Sequence, residues 1–558
     1  MNHDFDVAVA GFGPAGATAA CLLGALGLRV LAVDRATEVY NQPRAFALDH
    51  EIMRVFQNIG LADAIESFVA PFSASEHYGV DGQLIRRLTM IDPPYPLGWT
   101  PSMVFRQPPL EAALRARAVA TPGVQVSLGE ELTALTQDAD GVTLSLTRCA
   151  MAPAQTRAGE RGETHIGEHS GEHEETRNVT ARFVIGCDGA SSTVRRLLNI
   201  EHEDLDFDEP WLVADVGVNA QGAAKLPKTS AQFCEPARPA TYLIGVGEHR
   251  RWEIMLLPGE TPQQFESDAA VWRLLSRWIT PDDGVLWRRA GYRFHALVAR
   301  EWRKGRVFLA GDAAHQQPPF LGQGMCQGIR DVANLSWKLA AVMQERASDA
   351  LLDTYGTERS AHVKRLTTTI KHIGRNICER DENKARARDA ELIAQTGGVV
   401  KSVPRQDLIP PLETGLLSPL AHAANGTLFP QPRVRPLLPS APLHTQPQSQ
   451  SQAQPQTQRP ITTQVLDDAT GTGLRLMLCS GDAMHAAAAH EAAAVCGAQL
   501  VRIGTGGFME QDGIAAAWFA RHHAIAALVR PDHYVYGVAS DPQQLTSLAA
   551  AWAAALRA

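Results

Sequence analysis

The chain has 558 residues, which is too many for one hydrophobic core, so two or three domains are expected. Hydrophobic residues make up 45% and charged residues 20%, as in ordinary globular proteins. The formal net charge of −8 gives no support for a nucleic-acid partner, which needs a basic face.

Cysteine usage and the apolar pattern predict a cytoplasmic protein. The eight cysteines are scattered, with no CxxC pair and no zinc-ligand spacing, which suits a reducing compartment. The first apolar run follows no basic region and is interrupted by glycines, so it does not read as a signal peptide. No stretch has the length of a membrane span, so no membrane partner is expected.

The first elements predict a βαβ unit with a dinucleotide site. Residues 5–10 form an apolar strand pattern, an alanine- and leucine-rich helix runs to Gly27, and a second buried strand covers 29–33. The turn between strand and helix reads GFGPAG, and its expected cofactor-binding residues are Gly11, Gly13, Pro14, Ala15 and Gly16.

Each glycine of this turn has a mechanical purpose. Gly11 permits the tight turn, Gly13 lets the backbone approach a pyrophosphate, and Gly16 lets helix and strand pack closely. Asp34 ends the second strand, with Arg35 beside it, where a carboxylate would bond ribose hydroxyls. The alternative is a glycine-rich turn without a ligand.

Further along the chain, two more strands end in Gly/Asp signals. Residues 183–186 precede Asp188, and residues 307–310 precede Asp312, which suggests one nucleotide site assembled from distant segments. Between them, residues 210–300 alternate apolar and polar as in an antiparallel sheet. Residues 149–178 lack a core pattern and are interpreted as an exposed hairpin excursion, and residues 322–370 are predicted to be helical.

The C-terminal part predicts a separate domain. The Gln- and Pro-rich residues 439–460 form a polar linker that cannot bury a core. The alanine-rich sequence beyond it is long enough to fold by itself.

Four motifs in order resemble those of the group A FAD-dependent aromatic hydroxylases. They are CDGASSTVR (187–195), the segment 311–324 with GDAAH and GQG, Arg44 in QPRA, and Gln107 in FRQ. The resemblance implies that FAD is the cofactor and that Asp312 binds its ribityl chain. It also implies that Arg44, Gln107, Asp188, Pro318, Gly322, Gly324 and Met325 contribute to the flavin site. From the residues alone, Asp312 is equally a helix cap and Arg44 a surface ion pair.

The resemblance is closer to the 3-(3-hydroxyphenyl)propionate hydroxylases. It is carried by segments 251–260, 323–339, 351–359 and 529–532. The implied fold is α/β: a Rossmann-like FAD-binding domain (1–75, 100–200 and 300–395) with an inserted antiparallel substrate sheet (76–99 and 201–299), like p-hydroxybenzoate hydroxylase. An extended segment and linker (396–460) then lead to a thioredoxin-like domain (461–558).

This family implies a monooxygenase reaction. NADH or NADPH, bound transiently, reduces FAD, and O2 then yields a flavin hydroperoxide that hydroxylates a phenolic aromatic acid. No second glycine-rich βαβ unit is evident for the nicotinamide, in keeping with transient binding. A homodimer is an expectation from the family. The open alternatives are another phenol, such as a resorcinol, hydroxybenzoate or heteroaromatic phenol, an FAD-dependent hydride-transfer dehydrogenase or oxidase, and a non-catalytic interaction protein.

Residues that touch the substrate are harder to assign from sequence. The family places a proline carbonyl, here that of Pro318, near the flavin edge. His315 is a candidate base, although a packing or hydrogen-bonding role is favoured, and Asp49 and His50 are candidates to face the pocket, although Asp49 is equally a helix cap. Arg238 and Tyr242 are candidate substrate-binding residues in the sheet, and a structural ion pair is equally open for Arg238.

Two other patterns are expected to carry no chemistry. His165, His169 and His173 recur every four residues, but the glycines among them argue against a helix, so no metal site is predicted. Cys479 and Cys496 are too far apart for a CxxC redox site.

Overall fold

The computed structural model describes residues 3–149, 175–437 and 463–558, which form two compact units. Unit 1 holds the described residues within Met1–Asp92, Thr100–Glu345 and Leu352–Pro410, and unit 2 those within Pro93–Trp99, Arg346–Leu351 and Pro411–Ala558. Among these described residues, no helix is both long and apolar enough to cross a membrane.

Unit 1 contains most of the regular structure. Its strands are β1 (Phe5–Ala10), β2 (Val30–Asp34), β3 (Ala47–Asp49), β4 (Val69–Pro71), β5 (Ser75–Tyr78), β6 (Leu84–Thr89), β7 (Ser102–Phe105), β8 (Val124–Leu128), β9 (Glu130–Gln137), β10 (Val142–Arg148), β11 (Thr176–Gly186), β12 (His202–Val218), β13 (Ser230–Phe233), β14 (Ala240–Ile244), β15 (His249–Met255), β16 (Gly284–Ala299), β17 (Arg303–Lys304), β18 (Val307–Leu309), β19 (His315–Gln316) and β20 (Ser402–Pro404). Its α-helices are α1 (Pro14–Ala25), α2 (His50–Asn58), α3 (Ala62–Ile65), α4 (Gln107–Val119), α5 (Thr193–Leu197), α6 (Ala220–Lys225), α7 (Asp268–Leu275), α8 (Gly324–Met343), α9 (Asp353–Cys378) and α10 (Glu382–Ala394). Its short 3-10 helices are Glu66–Phe68, Pro262–Phe265, Pro281–Asp283, Gly311–Ala313, Pro319–Leu321 and Arg405–Leu408, and a further one, Asp349–Leu352, falls mostly among the residues of unit 2.

The first sheet is the predicted Rossmann-like layer. Strands β8, β2, β1, β11 and β18 are parallel neighbours in that order. The residues of β1, β2, β18 and the end of β11 are mostly buried and apolar, as strands covered on both faces must be, whereas the edge strand β8 is partly exposed along its length. Strands β9 and β10 extend it through β10, which pairs antiparallel with β11. The predicted hairpin excursion leaves between β10 and β11, but residues 150–174 lie outside the described residues.

The second sheet has nine strands in the order β19-β16-β12-β15-β14-β13-β5-β6-β20. Most neighbours are antiparallel, as the alternation of residues 210–300 predicted, although the β13–β5 and β6–β20 pairs are parallel. Because side chains alternate along a strand, its faces differ. One face packs on α7 through Leu212, Tyr242 and Trp252, and the other packs on α9 through Trp211 and Phe294.

The structure draws two boundaries differently from the sequence. Residues 402–404, expected in an extended segment, form β20 and pair with β6, so this stretch belongs to unit 1. Residues 93–99, expected in the substrate sheet, belong to unit 2, where Gln431 N donates to Pro96 O at 2.7 Å. Both differences arise from pairings between residues far apart in sequence.

Unit 2 contains β21 (Arg433–Pro436), β22 (Gln464–Val465), β23 (Arg475–Leu478), β24 (Gln499–Arg502), β25 (Phe508–Glu510), β26 (Ala526–Val529) and β27 (Val535–Ala539). Its α-helices are α11 (Leu466–Thr470), α12 (Ala483–Cys496), α13 (Ile514–Arg521) and α14 (Pro542–Arg557). The sheet β24-β23-β26-β27 is mixed: β23 and β24 are parallel, and the other neighbours are antiparallel. The thioredoxin-like character of this unit stays a prediction, and Cys479 and Cys496 are both free thiols.

Candidate active site

A cavity of about 1660 Å³ lies within unit 1. Its walls come from the β1–α1 turn, the segment after β2, the end of β11, the segment 311–328 and the second sheet. The segments that follow β1, β11 and β18, which the sequence singled out, therefore line one cavity. Of the predicted cofactor-binding residues, the cavity is lined by Gly11, Gly13, Pro14, Ala15, Asp34, Arg35, Arg44, Gln107, Asp188, Asp312, Gly322, Gly324 and Met325.

The glycine turn has room for a ligand at only one of its three glycines. Gly11 has φ +96°, and a Cβ there would lie 2.4 Å from Cys187 O, so glycine is required. A Cβ at Gly16 would lie 1.9 Å from Gly11 O, which shows how closely helix and strand pack. A Cβ at Gly13 would have no protein atom within 4 Å.

This open position fits the pyrophosphate of FAD. Gly13 precedes Pro14, the first residue of α1, so the free N–H groups and positive dipole of the helix start are directed to that space. Asp34 Oδ2 accepts a hydrogen bond from Phe12 N at 2.7 Å and Oδ1 from Ala36 N at 2.8 Å, which orients the carboxylate at the cavity wall. Arg35 lies at the rim, 3.8 Å from Glu131, in an exposed ion pair.

Gln107 holds the segment that carries Arg44. Its Oε1 accepts from Arg44 N at 3.0 Å and from Ala45 N at 2.6 Å, and its Nε2 donates to Glu111 at 3.1 Å. The Arg44 guanidinium lies 5.2 Å from the Tyr40 ring centroid and forms no ion pair with any described residue. The ion-pair interpretation of Arg44 is therefore not supported, and its charge is open to a ligand.

The two aspartates of the later motifs differ in what they bind. The Asp188 carboxylate accepts from Ser192 Oγ at 2.5 Å, Thr193 N at 2.7 Å and Val194 N at 3.0 Å, so it stabilises the start of α5. Asp312 is exposed to the cavity, and no hydrogen bond among the described residues uses its carboxylate. A capping role for Asp312 is thus not supported, and its carboxylate is open to the cavity.

The loop after Asp312 leads back to the cavity. Pro318 is buried and is not a lining residue, whereas its neighbours Gln317 and Pro319 are. Gly322 has φ +62°, and a Cβ there would lie 2.9 Å from the Ala47 side chain, so the turn requires glycine. Gly324 has no protein atom within 4 Å of a built Cβ, which leaves its backbone accessible.

Three candidate bases are placed in structural roles. Asp49 caps α2, accepting from Glu51 N and Ile52 N, and its Oδ2 is 2.5 Å from Arg330. His50 is buried outside the cavity lining, and burial lowers its pKa to about 4. His315 Nε2 lies 2.8 Å from Asp331 Oδ2, and its ring stacks on Trp302. None of the three candidate bases lines the cavity.

Neither of the two candidate substrate-binding residues lines the cavity. Arg238 donates to both oxygens of Glu260, at 2.8 and 2.7 Å, and does not line the cavity. Tyr242 is fully buried against Trp252 on the face of the sheet that packs on α7. Knowing the sheet of a residue does not tell which face of the sheet its side chain is on, because neighbouring residues on a strand point in opposite directions.

Comparison with known proteins gives the family. A model described as FAD binding domain matches residues 4–369, and one described as HcaD C-terminal domain matches residues 450–555. A "Probable NADH-specific resorcinol 4-hydroxylase" of Rhodococcus jostii (strain RHA1) is 33% identical over 98% of this chain and 94% of its own. A "3-(3-hydroxy-phenyl)propionate/3-hydroxycinnamic acid hydroxylase" of Mycobacterium sp. (strain JLS) is 30% identical over 96% of this chain and 89% of its own. The chain belongs to the FAD-dependent aromatic hydroxylases.

Solved structures share the fold of this hydroxylase. The flavin-dependent monooxygenase PieE, solved with FAD and substrate, superposes with a TM-score of 0.77 at 21% identity, covering 100% of both chains. The p-nitrophenol 4-monooxygenase PnpA of Pseudomonas putida DLL-E4 gives a TM-score of 0.59 at 23% identity, covering 70% of this chain and 94% of its own.

The hydroxylase also has a buried charge cluster that sequence reasoning missed. Asp215 on β12 is fully buried, and its carboxylate lies 2.7 Å from His249 and Arg251 and 3.2 Å from Arg288. Burial alone would raise the pKa of Asp215, but Arg251 and His249 hold it well below its usual range. The sequence signal for this cluster was Asp215, the one charged residue in the apolar run 211–218.

Glu253 is the second missed residue. It lies two residues after Arg251 on β15, so both side chains point to the same face, and both line the cavity. Glu253 is 5% exposed, and no hydrogen bond among the described residues involves its carboxyl. Burial raises its pKa to about 7 against the opposing effect of Arg251. This carboxyl therefore changes between its protonated and its ionised form near neutral pH.

Proposed function

We propose that this protein is a monooxygenase that hydroxylates a phenol, using electrons from NADH and one oxygen atom of O2. The observation that carries the proposal is that the open Gly13 position and the Glu253 carboxyl line the same cavity. The names of the relatives support the reaction class, and the NADH-specific relative supports NADH as donor.

The positions of the cavity residues support a proposal for how FAD is held. Gly13 and the start of α1 would hold the pyrophosphate, Asp34 a ribose, Asp312 the ribityl chain, and the backbone at Gly322 and Gly324 the ring system. When bound, FAD supplies the two-electron chemistry that makes O2 able to hydroxylate an electron-rich ring, with a nicotinamide as the electron source.

Glu253 is the proposed proton acceptor for the phenolic hydroxyl. A ring that has lost its phenolic proton is more electron-rich at the ortho and para carbons, where hydroxylation occurs. A base works best when its pKa lies near the operating pH, as that of Glu253 does at about 7. The charged groups that act on it are Arg251 on its own strand, Asp215 on β12 and Arg288 on β16, and the two guanidiniums favour its carboxylate form.

Aromatic side chains would keep water from the reacting ring. Phe294 and Phe320 line the cavity, with ring centroids 6.0 Å apart in an edge-to-face contact. Trp211 packs behind both, at 5.5 Å from Phe294 and 5.8 Å from Phe320. A dry apolar wall strengthens electrostatic interactions within the site.

The test is NADH oxidation by purified, FAD-loaded protein across a panel of phenols. The panel includes resorcinol and 3-(3-hydroxyphenyl)propionate, and product mass and hydrogen peroxide are followed together. We expect at least one phenol to accelerate NADH oxidation and to gain one oxygen with little peroxide. Peroxide alone with every phenol, or substrate oxidation without oxygen gain, would contradict the proposal, and the latter would favour the hydride-transfer alternative.

A further inference from the structure

Arg405 is a buried cation at the cavity wall that neither the motifs nor the relatives assign. It begins the 3-10 helix directly after β20, whose residue Pro404 pairs with Thr89 of β6. Arg405 is 8% exposed, lines the cavity, and has its guanidinium 4.3 Å from the Phe72 ring centroid. The guanidinium and the ring therefore form a cation–π contact at the cavity wall.

The guanidinium has donors to spare. Arg405 Nη2 donates to Leu321 O at 2.8 Å, and no other hydrogen bond of this side chain occurs among the described residues. An arginine side chain carries five N–H donors, so four have no acceptor in the described parts of the chain. Burial lowers the pKa of Arg405 to about 10, which leaves it protonated at neutral pH.

Its charge is also without a counter-charge. Within the described residues Arg405 forms no ion pair, and Asp49, whose charge acts on it, is already bonded to Arg330 at 2.5 Å. The other arginines of the cavity wall, Arg44 excepted, each lie within ion-pair distance of a carboxylate: Arg35, Arg115, Arg251, Arg288, Arg289 and Arg293. Arg44 is exposed and belongs to the segment assigned to FAD. A buried unpaired charge is costly unless a ligand supplies its partner.

We propose that Arg405 binds a carboxylate of the substrate, so that the substrate is a phenolic acid rather than a neutral phenol. The inference rests on the proposed function and names the substrate class of that same site. The planar donor fork of an arginine matches a carboxylate with two parallel hydrogen bonds. Arg238, the arginine that the sequence offered for substrate binding, is already neutralised by Glu260.

The experiment measures ligand binding to the FAD-loaded protein by perturbation of the flavin absorbance, without turnover. The ligands are 3-(3-hydroxyphenyl)propionate and its neutral isostere 3-(3-hydroxyphenyl)propionamide. We expect the wild-type protein to bind the acid about 10- to 100-fold more tightly than the amide. Equal binding of the two ligands would overturn the proposal, and this comparison needs no variant.

Variants test whether the preference for the acid depends on Arg405. Arg405→Met should weaken binding of the acid about 10- to 100-fold while changing binding of the amide and of FAD by less than about threefold. Arg405→Lys should restore part of the preference for the acid, since it keeps the charge. The matched control, Arg238→Met, removes a paired arginine outside the cavity and should leave the preference intact.

The remaining outcomes distinguish a failure of the Arg405 inference from a failure of the proposed reaction. Equal losses for acid and amide in Arg405→Met would assign Arg405 to packing of the Leu321 segment, and loss of FAD would assign it to the cofactor; either overturns the proposal. Hydroxylation of resorcinol with a wild-type protein that does not favour the acid would overturn the Arg405 inference and leave the hydroxylase. Tight acid-selective binding without oxygen gain on any phenol would leave the Arg405 inference and overturn the proposed reaction.

Discussion

Asp215 and Arg251 are direct partners across β12 and β15, and Arg251 Nε lies 2.7 Å from Asp215 Oδ1 inside the protein. The same guanidinium donates to Pro43 O and Arg44 O, both at 2.8 Å. The charge cluster of the second sheet therefore holds the segment that presents Arg44 to the cavity. Through Arg251, the second sheet and the backbone of Pro43 and Arg44 share one set of hydrogen bonds.

The first prediction concerns this cluster. Asp215→Asn removes the buried carboxylate to which both Arg251 and Arg288 are bonded, and we expect a loss of about 3–5 kcal/mol in the free energy of unfolding. Chemical denaturation of the FAD-free protein measures it. The control is Asp268→Asn, because Asp268 is 61% exposed in its pair with Arg289, and its loss should be below about 1 kcal/mol. Equal stabilities of the two variants would contradict the role of the cluster.

The second prediction separates two glycines of one turn. Gly13 has φ −73° and open space around a built Cβ, so Gly13→Ala should fold normally but bind FAD about tenfold more weakly or worse. Gly16→Ala would place its Cβ 1.9 Å from Gly11 O and should destabilise the fold itself by about 1–3 kcal/mol. FAD fluorescence quenching and thermal melts distinguish the two. Unchanged FAD affinity in Gly13→Ala would show that no ligand approaches there.

The third prediction concerns Asp312, the cavity aspartate without a partner among the described residues. Asp312→Ala should lose FAD while unit 2 remains folded, because the substitution removes only a hydrogen-bond acceptor for the cofactor. Absorbance at flavin wavelengths after gel filtration gives the bound fraction. Asp312→Asn keeps one oxygen acceptor and should retain more FAD than the alanine variant. Stoichiometric yellow flavin in Asp312→Ala would refute the assignment.

The fourth prediction is a pH dependence that follows from Glu253. Its pKa of about 7 lies above the usual value, so the carboxyl is protonated and unable to accept a proton below that pH. The rate of hydroxylation should rise with pH through about 7 in the wild-type protein. Glu253→Gln should lower the rate by about 100-fold and remove this rise.

A matched variant controls for surface charge. Asp208→Asn removes a half-exposed carboxylate of β12 paired with Arg293, and the rise near pH 7 should remain. Single-turnover rates of product formation across pH 5.5–9 test both variants. A rise that persists in Glu253→Gln would assign it to another group.

The part of the cavity wall that we propose for FAD was largely predictable from sequence, because it is built from local signals. The Gly11–Gly16 turn, Asp34 and Asp312 each stand next to the strand end that positions them, and all but Phe12 and Gly16 line the cavity. The substrate side was not predictable in the same way. Arg238 and Tyr242 were placed in the right sheet, but the one is neutralised by Glu260 and the other lies on the opposite face.

The sequence by itself determined the βαβ unit, the presence of an inserted sheet and the flavin motifs, since these depend on periodicity and on short-range turn geometry. Only the tertiary structure decided which charges remain unpaired at the cavity wall. Asp215 neutralises Arg251 from another strand, whereas Glu253 and Arg405 have no such partner among the described residues. Whether a buried charge is satisfied depends on residues far away in sequence, and for Arg405 that environment includes Phe72 and Leu321, each more than eighty positions away.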